Sequence, residues 1–235
     1  GPVYVVWGDE QLRDGVDIDR TTFYERLLRD PVHPKTSQPT PQDFAQAIQR
    51  AKADEVLILT ISGALSGTLN AAIRARELVD IPVQVVDSMS TSMGVGWQVI
   101  MAARMRDQGG DMEAMIAAAR QVREKLTALF TVDTLEYLYR GGRIGGAAKF
   151  LGTMLHLKPL LAIDRNTGRI EAVERARTRQ RAVNRLIQLA LQGVDPARPV
   201  RVAVLHSARP DELRAFAAQV EEAFHPVEVI CSELG

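Results

Sequence analysis

Two short clusters of hydroxyl side chains are the residues of this sequence best suited to chemistry. Lys35, Thr36, Ser37, Gln38 and Pro39 precede one amphipathic stretch, and Ser62, Gly63, Ala64, Leu65, Ser66, Gly67 and Thr68 open another. Hydroxyl groups combined with the free N–H groups of a helix's first turn welcome an anionic oxygen. The plain alternative is that Ser62 or Ser66 only caps its helix. As a nucleophile, either serine would need a paired base. The four histidines, His33, His156, His206 and His225, stand far apart with no pair at metal-ligand spacing, so they read as surface or capping residues and no metal site is expected. Gly94, Val95 and Gly96 start like a dinucleotide fingerprint, but no third glycine follows at the required offset and the stretch reads as helix. The turn at 63–68 has the small residues of a phosphate cradle without the Gly-Lys-Ser/Thr ending that reaches terminal phosphates.

The elements that must position these clusters alternate between short β-branched runs and amphipathic helices, which argues βαβ units and a largely parallel sheet for the first half. Val3 to Trp7 is a β-type run and Val56 to Thr60 is the clearest buried strand. Thr40, Pro41 and Asp43 form a complete helix start, after which Phe44, Ala47, Ile48 and Ala51 share one face. The turn after Thr60 opens a helix to about Val79, and Val83 to Val86 is the next strand. Helices are expected from about Thr91 to Gln108 and, capped by Asp111, through Met112, Met115, Ile116, Ala119, Val122 and Leu126. In a parallel arrangement both hydroxyl clusters fall at the carboxyl edge of the sheet, where ligands of α/β folds bind.

From Leu129 the pattern changes character: a strand Phe130 to Val132, a short helix, and the glycine-rich run Arg140 to Gly146. Leu160 to Ile163 and Arg169 to Val173 flank the turn Asp164, Arg165, Asn166, Thr167, Gly168, a β-hairpin signature. A helix Thr178 to Leu191, a strand Val200 to Leu205, a helix Pro210 to Phe224 and a strand Val227 to Ile230 follow. The domains are therefore expected at residues 1–126 and 127–235.

Composition narrows the partners. The 235 residues hold 29 Lys plus Arg against 29 Asp plus Glu, so no overall basic field collects nucleic acid or an anionic membrane. An anionic ligand must be met by a local site. The single cysteine, Cys231, forms no internal disulfide, which fits a reducing compartment, and no apolar run approaches the ~20 residues of a membrane span. A cytoplasmic protein is expected. Arg175, Arg177, Arg179 and Arg181 make the one basic cluster, which reads as a solvated face, as a dock for an acidic partner, or as an RNA contact that the zero net charge disfavours.

Several segments carry a family resemblance. Lys-Thr-Ser-Gln-Pro at 35–39, Ser-Gly-Ala-Leu-Ser-Gly-Thr at 62–68, Val-Val-Asp-Ser at 85–88, Leu-Glu-Tyr-Leu-Tyr-Arg-Gly-Gly-Arg-Ile at 135–144 and Leu-Lys-Pro at 157–159 resemble the motifs of the DegV family, in family order. The resemblance implies a two-domain α/β fold, with an N-terminal parallel βαβ domain and a C-terminal α/β domain carrying a β-hairpin. One long-chain fatty acid, such as palmitate, stearate or oleate, would lie in a tunnel between the domains, with no other cofactor. It further implies a non-catalytic, acyl-binding subunit that presents the carboxylate to the ATP-binding subunit of a fatty acid kinase, with transient membrane contact. Thr36 and one serine, Ser62 or Ser66, would bind the carboxylate, with Ser37 and Gly67 beside them, and Arg143 would supply positive charge at the kinase-facing mouth. Met89, Met93, Met101, Met105 and Leu155 would suit a flexible tail, although ordinary helix-core packing is the simpler account of each. The family pattern also has a strand and an Asp-Ser-Thr turn before the segment matching Val3 to Trp7, and a Thr-His-x-Gly-Pro-Gly stretch after the last residues here. Both ends are therefore expected to be incomplete. The alternative function is an autonomous serine-dependent hydrolase or phosphotransferase using Ser62 or Ser66.

Overall fold

The computed structural model describes residues 3–152, 157–195 and 197–234. The chain divides into two compact units, Gly1–Leu126 with Arg165–Arg169, and Thr127–Asp164 with Ile170–Gly235.

The first unit begins with an antiparallel sheet rather than a parallel one. Strand β1 (Tyr4–Trp7) turns through Gly8 and Asp9 into β2 (Glu10–Arg13), with Gly8 at φ 62°, the left-handed conformation that a two-residue hairpin requires. Helix α1 (Arg20–Arg29) follows, capped by Asp19, whose carboxylate accepts from the Thr22 N–H at 2.9 Å. Strand β3 (Lys35–Ser37) then pairs antiparallel with the other edge of β1, with Thr36 opposite Val5. The sequence pattern predicts no strand here; pairing with β1 makes Lys35 to Ser37 one. Glu10–Arg13 and Arg20–Arg29 escape a hydrophobic-pattern reading because neither contains a buried residue, and only half-buried Leu12, Phe23 and Leu27 reach the cluster around Val5, Trp7 and Ile18.

Helix α2 (Pro41–Ala51) starts with the complete capping box: Asp43 N–H donates to Thr40 Oγ1 at 3.2 Å and Thr40 N–H to the Asp43 carboxylate at 2.8 Å. It buries Phe44, Ala45 and Ile48, leaving Ala51 exposed. Strand β4 (Val56–Thr60) and strand β5 (Val83–Asp87) form the parallel pair, in register from Val56 opposite Val83 to Thr60 opposite Asp87. Between them lies α3 (Thr68–Ala75), shorter than expected because its last turn tightens to a 3₁₀ segment, Arg76–Leu78. Phe44 and Ile48 of α2 pack with Ala71, Ala72 and Ala75 of α3 and with Val83, forming the core that fixes both helices on this sheet. Helices α4 (Met93–Asp107) and α5 (Met112–Lys125, capped by Asp111) complete the unit.

In the second unit, β6 (Ala128–Thr131), β7 (Lys158–Ile163) and β8 (Ile170–Ala176) form an antiparallel sheet in that order. Helix α6 (Glu136–Arg140) and a 3₁₀ segment, Gly145–Phe150, lie between β6 and β7. Helix α7 (Arg179–Leu191, capped by Thr178), strand β9 (Arg201–His206), helix α8 (Pro210–Phe224) and strand β10 (Glu228–Glu233) follow, with β9 and β10 parallel. Among the described residues, no helix is long and apolar enough to cross a membrane.

Asp133, just after β6, ties the starts of three of these elements together. Its carboxylate accepts from Lys158 Nζ at 2.8 Å and Arg209 Nη2 at 2.7 Å, with Arg179 Nη1 at 3.7 Å, and both arginines also pair with Glu212. The hydrogen bond from Lys158, then that from Arg209, holds the Asp133 carboxyl below its ordinary value of 3.8. A lowered folded-state pKa contributes stability that is complete above the unfolded value and is lost as pH falls through the folded one. Asp133 is 41% exposed, so solvent screens the contribution. Asp133→Asn is expected to lower the melting temperature by about 2 °C at neutral pH. The difference should vanish in strong acid, where the wild-type carboxylate is protonated too; circular dichroism melts across pH measure it.

Candidate functional site

The parallel register of β4 and β5 brings two loops side by side where the strands end. Loop 61–67 follows β4 and loop 88–92 follows β5. Ser88 N–H donates to Thr60 O at 3.1 Å and Ser62 N–H to Ser90 O at 2.8 Å, so the loops continue the pairing that the strands begin. Asp87 closes it: one carboxylate oxygen accepts from Gly63 N–H at 3.1 Å and the other from Met89 N–H at 2.9 Å. The β5 loop is strained, with Met89 at φ 51° and Ser92 at φ 48°, conformations an L-residue holds only where surroundings enforce them.

Beneath the loops lies a buried polar layer of Thr60, Ser62, Ser88, Ser90 and Gln98. Gln98 Nε2 donates to Ser88 O at 3.0 Å and Gly94 O at 2.9 Å, which fixes the orientation of its amide, since the reverse would set oxygen against two carbonyls. Gly94 is required here because a Cβ would lie 2.0 Å from Ser90 Oγ and 2.9 Å from Ser90 Cβ, whereas one at Gly96 would meet only the flexible Met93 thioether, at 2.7 Å. The Gly94, Val95, Gly96 stretch thus lies in α4 as a packing device.

The sequence candidates separate on this scaffold. Ser62 is fully buried; its hydroxyl accepts from Ala64 N–H at 3.2 Å, and Gly168 lies over it, since a Cβ there would stand 2.1 Å from Ser62 Oγ. Ser66 is half-buried, with its Oγ 2.8 Å from Thr68 Oγ1 and accepting from Thr68 N–H at 3.3 Å. Ser66 therefore supplies the oxygen that Gly67, the residue at the helix cap, cannot. Thr36 is exposed on β3 and Ser37 is half-buried. The segment bearing them meets the Ser66 loop through Gln38, whose Nε2 would lie 2.9 Å from a Cβ at Gly67.

Arg143 belongs to the second unit, in the exposed segment that ends α6. Arg143 N–H donates to Leu138 O at 2.9 Å and Gly142 N–H to Tyr139 O at 3.0 Å, with Gly142 at φ 72°. This is the Schellman ending, and it explains Gly142, while Gly141 keeps an ordinary helical conformation. The Arg143 guanidinium donates to Gly141 O. The Arg175 to Arg181 cluster does not act as one patch, because Arg179 is paired with Glu212 and Arg175 lies over the Phe150 ring at 5.1 Å. Met89, Met93, Met101 and Met105 are half-buried, while Leu155 and His156 lie outside the described residues. His206 Nδ1 accepts from Arg209 N–H at 3.1 Å, a capping role. Among the described residues no group of three or more His, Cys, Asp or Glu is placed to hold a metal ion.

Three positions here were not candidates from sequence. Asp87 had a signal, its place between a strand and a serine-rich turn, and Gly168 had another, the last residue of the 164–168 turn. Gln38 had its place in the Lys-Thr-Ser-Gln-Pro run, which gave its amide no role.

Residues 2–235 match the family model described as "Uncharacterised protein, DegV family". A DegV domain-containing protein of Streptomyces coelicolor is 38% identical over 225 residues, covering 94% of this chain and 78% of that protein. The solved structure described as fatty acid binding of a DegV family protein from Thermus thermophilus superposes with a TM-score of 0.86 at 35% identity, covering 99% of this chain and 84% of the other. A stearic acid-binding protein from Eubacterium ventriosum gives 0.87 at 29% identity, covering 97% and 80%.

The close approach at Gly168 gives a direct test of the loop packing. Its φ of 66° and the Ser62 hydroxyl leave no room for a side chain. Gly168→Ala should cost about 2–4 kcal/mol, the sum of a left-handed alanine and an overpacked contact. Urea unfolding of the two proteins measures it.

Proposed function

The chain belongs to the DegV family, and from that premise we propose that it binds one long-chain fatty acid and presents the carboxylate to the ATP-binding subunit of a fatty acid kinase. Relatives of the same fold are described as binding fatty acids, stearic acid among them. The observation that carries the reading is the half-buried hydroxyl pair Ser66 and Thr68 at the start of α3, next to the segment bearing Thr36 and Ser37.

Affinity would come mainly from the acyl chain. Burying about fourteen methylenes at about 0.8 kcal/mol each yields about 11 kcal/mol gross, before ordering costs. The carboxylate must recover the hydrogen bonds it loses with water, and hydroxyl and backbone N–H donors at a helix start can supply them. Of the two serines we assign Ser66 to the carboxylate, because Ser62 is fully buried, engaged with Ala64 N–H and overlaid by Gly168, whereas Ser66 is partly accessible. Thr36 joins it from β3, with Ser37 and Gly67 shaping the approach. In the transfer step a carboxylate oxygen attacks the γ-phosphorus of ATP on the partner subunit. One P–O bond forms, the bond to ADP breaks, and ADP leaves with the electron pair. Arg143, on the exposed end of α6, fits contact with the partner or the transferring phosphate.

Among the described residues, the hydroxyls of Ser62 and Ser66 have backbone N–H and Thr68 as partners and no imidazole. That arrangement favours a ligand role over a nucleophilic one.

Mass spectrometry of lipid extracted from freshly purified protein should detect palmitate, stearate or oleate; a preparation that carries none and takes up no added palmitate overturns the reading. Ser66→Ala should weaken palmitate binding about tenfold, the loss of one charge-assisted hydrogen bond, and Ser62→Ala should affect folding more than affinity. Arg143→Ala should retain the lipid and slow acyl-phosphate formation with the kinase partner; an unchanged rate would remove Arg143 from the mechanism.

A further inference from the structure

We propose that Gln38 is a further binding residue of this site, donating its side-chain amide to the ligand's carboxylate beside Ser66. The inference rests on the fatty-acid reading and concerns a residue that the motifs alone did not single out. The side chain of Gln38 lies against the backbone of Gly67, so close that a Cβ there would stand 2.9 Å from Nε2 and 3.1 Å from Cδ. Gly67 links Ser66 to Thr68, so the exposed amide packs on the backbone between the two hydroxyl-bearing residues. Among the described residues that amide makes no hydrogen bond. A primary amide has two N–H donors, and one packed against the loop of Ser66 and Gly67 with both unspent has one to give to a carboxylate.

Its placement is set from both sides. Ser37 is held opposite Tyr4 in the β1–β3 ladder, while Pro39 is buried and Thr40 locks the start of α2 through its capping box. Gln38 is the one residue between these two anchors, so little backbone freedom remains to be lost when a ligand binds. Gly67 is then needed for contact: any side chain there would displace the amide.

Binding of palmitate and of the corresponding fatty alcohol to delipidated protein tests the role. The acyl chain is shared, and only the carboxylate draws a charge-assisted hydrogen bond. Gln38→Leu should weaken palmitate about tenfold and the alcohol much less. Gln38→Glu, which brings a like charge to the headgroup, should weaken palmitate further and leave the alcohol nearly unchanged. Equal losses for both ligands in Gln38→Leu, or no loss for either, overturn the role of Gln38 while leaving the fatty-acid reading in place. A wild-type protein that binds neither ligand overturns the fatty-acid reading, and the role of Gln38 with it.

Discussion

One carboxylate organises the first unit's site. Asp87 stands at the end of β5, directly opposite Thr60 at the end of β4, and its two oxygens accept from Gly63 N–H and Met89 N–H. Each loop would otherwise leave a backbone donor needing a partner as it departs the sheet. By taking one from each, Asp87 makes the loops a single rigid surface, and the positive φ values of Met89 and Ser92 are tolerable because that surface enforces them. Everything proposed for Ser66, Thr68 and Gln38 depends on that rigidity, since a hydrogen-bonding cradle that shifts by an ångström loses most of its preorganisation.

The sequence was most readable where local signals and burial agree. Val56–Thr60 and Pro210–Phe224 lie where their apolar patterns put them, and the capping box at Thr40 and Asp43 has the expected bonds. It was least readable where an element has little hydrophobic face of its own. Glu10–Arg13 exists because β1 offers an edge, and Arg20–Arg29, capped by Asp19, sets only Phe23 and Leu27 against the β1 core. The missed strand Lys35–Ser37 follows from the same cause, because its register is dictated by a partner strand on the far side of β2 and α1 in the chain.

The site shows a parallel division. The hydroxyl residues were visible as types in a turn, and the paired glycines Gly141 and Gly142 as a run before Arg143. What a sequence does not carry is accessibility. Ser62 and Ser66 belong to one motif, yet one is sealed under Gly168 and the other is partly open. Only packing against a turn much later in the chain separates them.

The charge balance of this surface bears on how a carboxylate would be held. Within 35–38, 62–68 and 87–92 the charged side chains are those of exposed Lys35 and of Asp87, one of each sign. An anionic ligand would therefore meet no net charge, and the oxygens of Asp87 are already occupied by N–H groups. Such a site orients a headgroup more than it attracts one. Most of the binding free energy must then come from apolar burial, which is indifferent to the headgroup's charge. That division suits a carrier whose ligand is to react while bound. A guanidinium in a bidentate pair would draw charge density from both carboxylate oxygens, whereas a neutral hydroxyl and amide leave the carboxylate more nucleophilic.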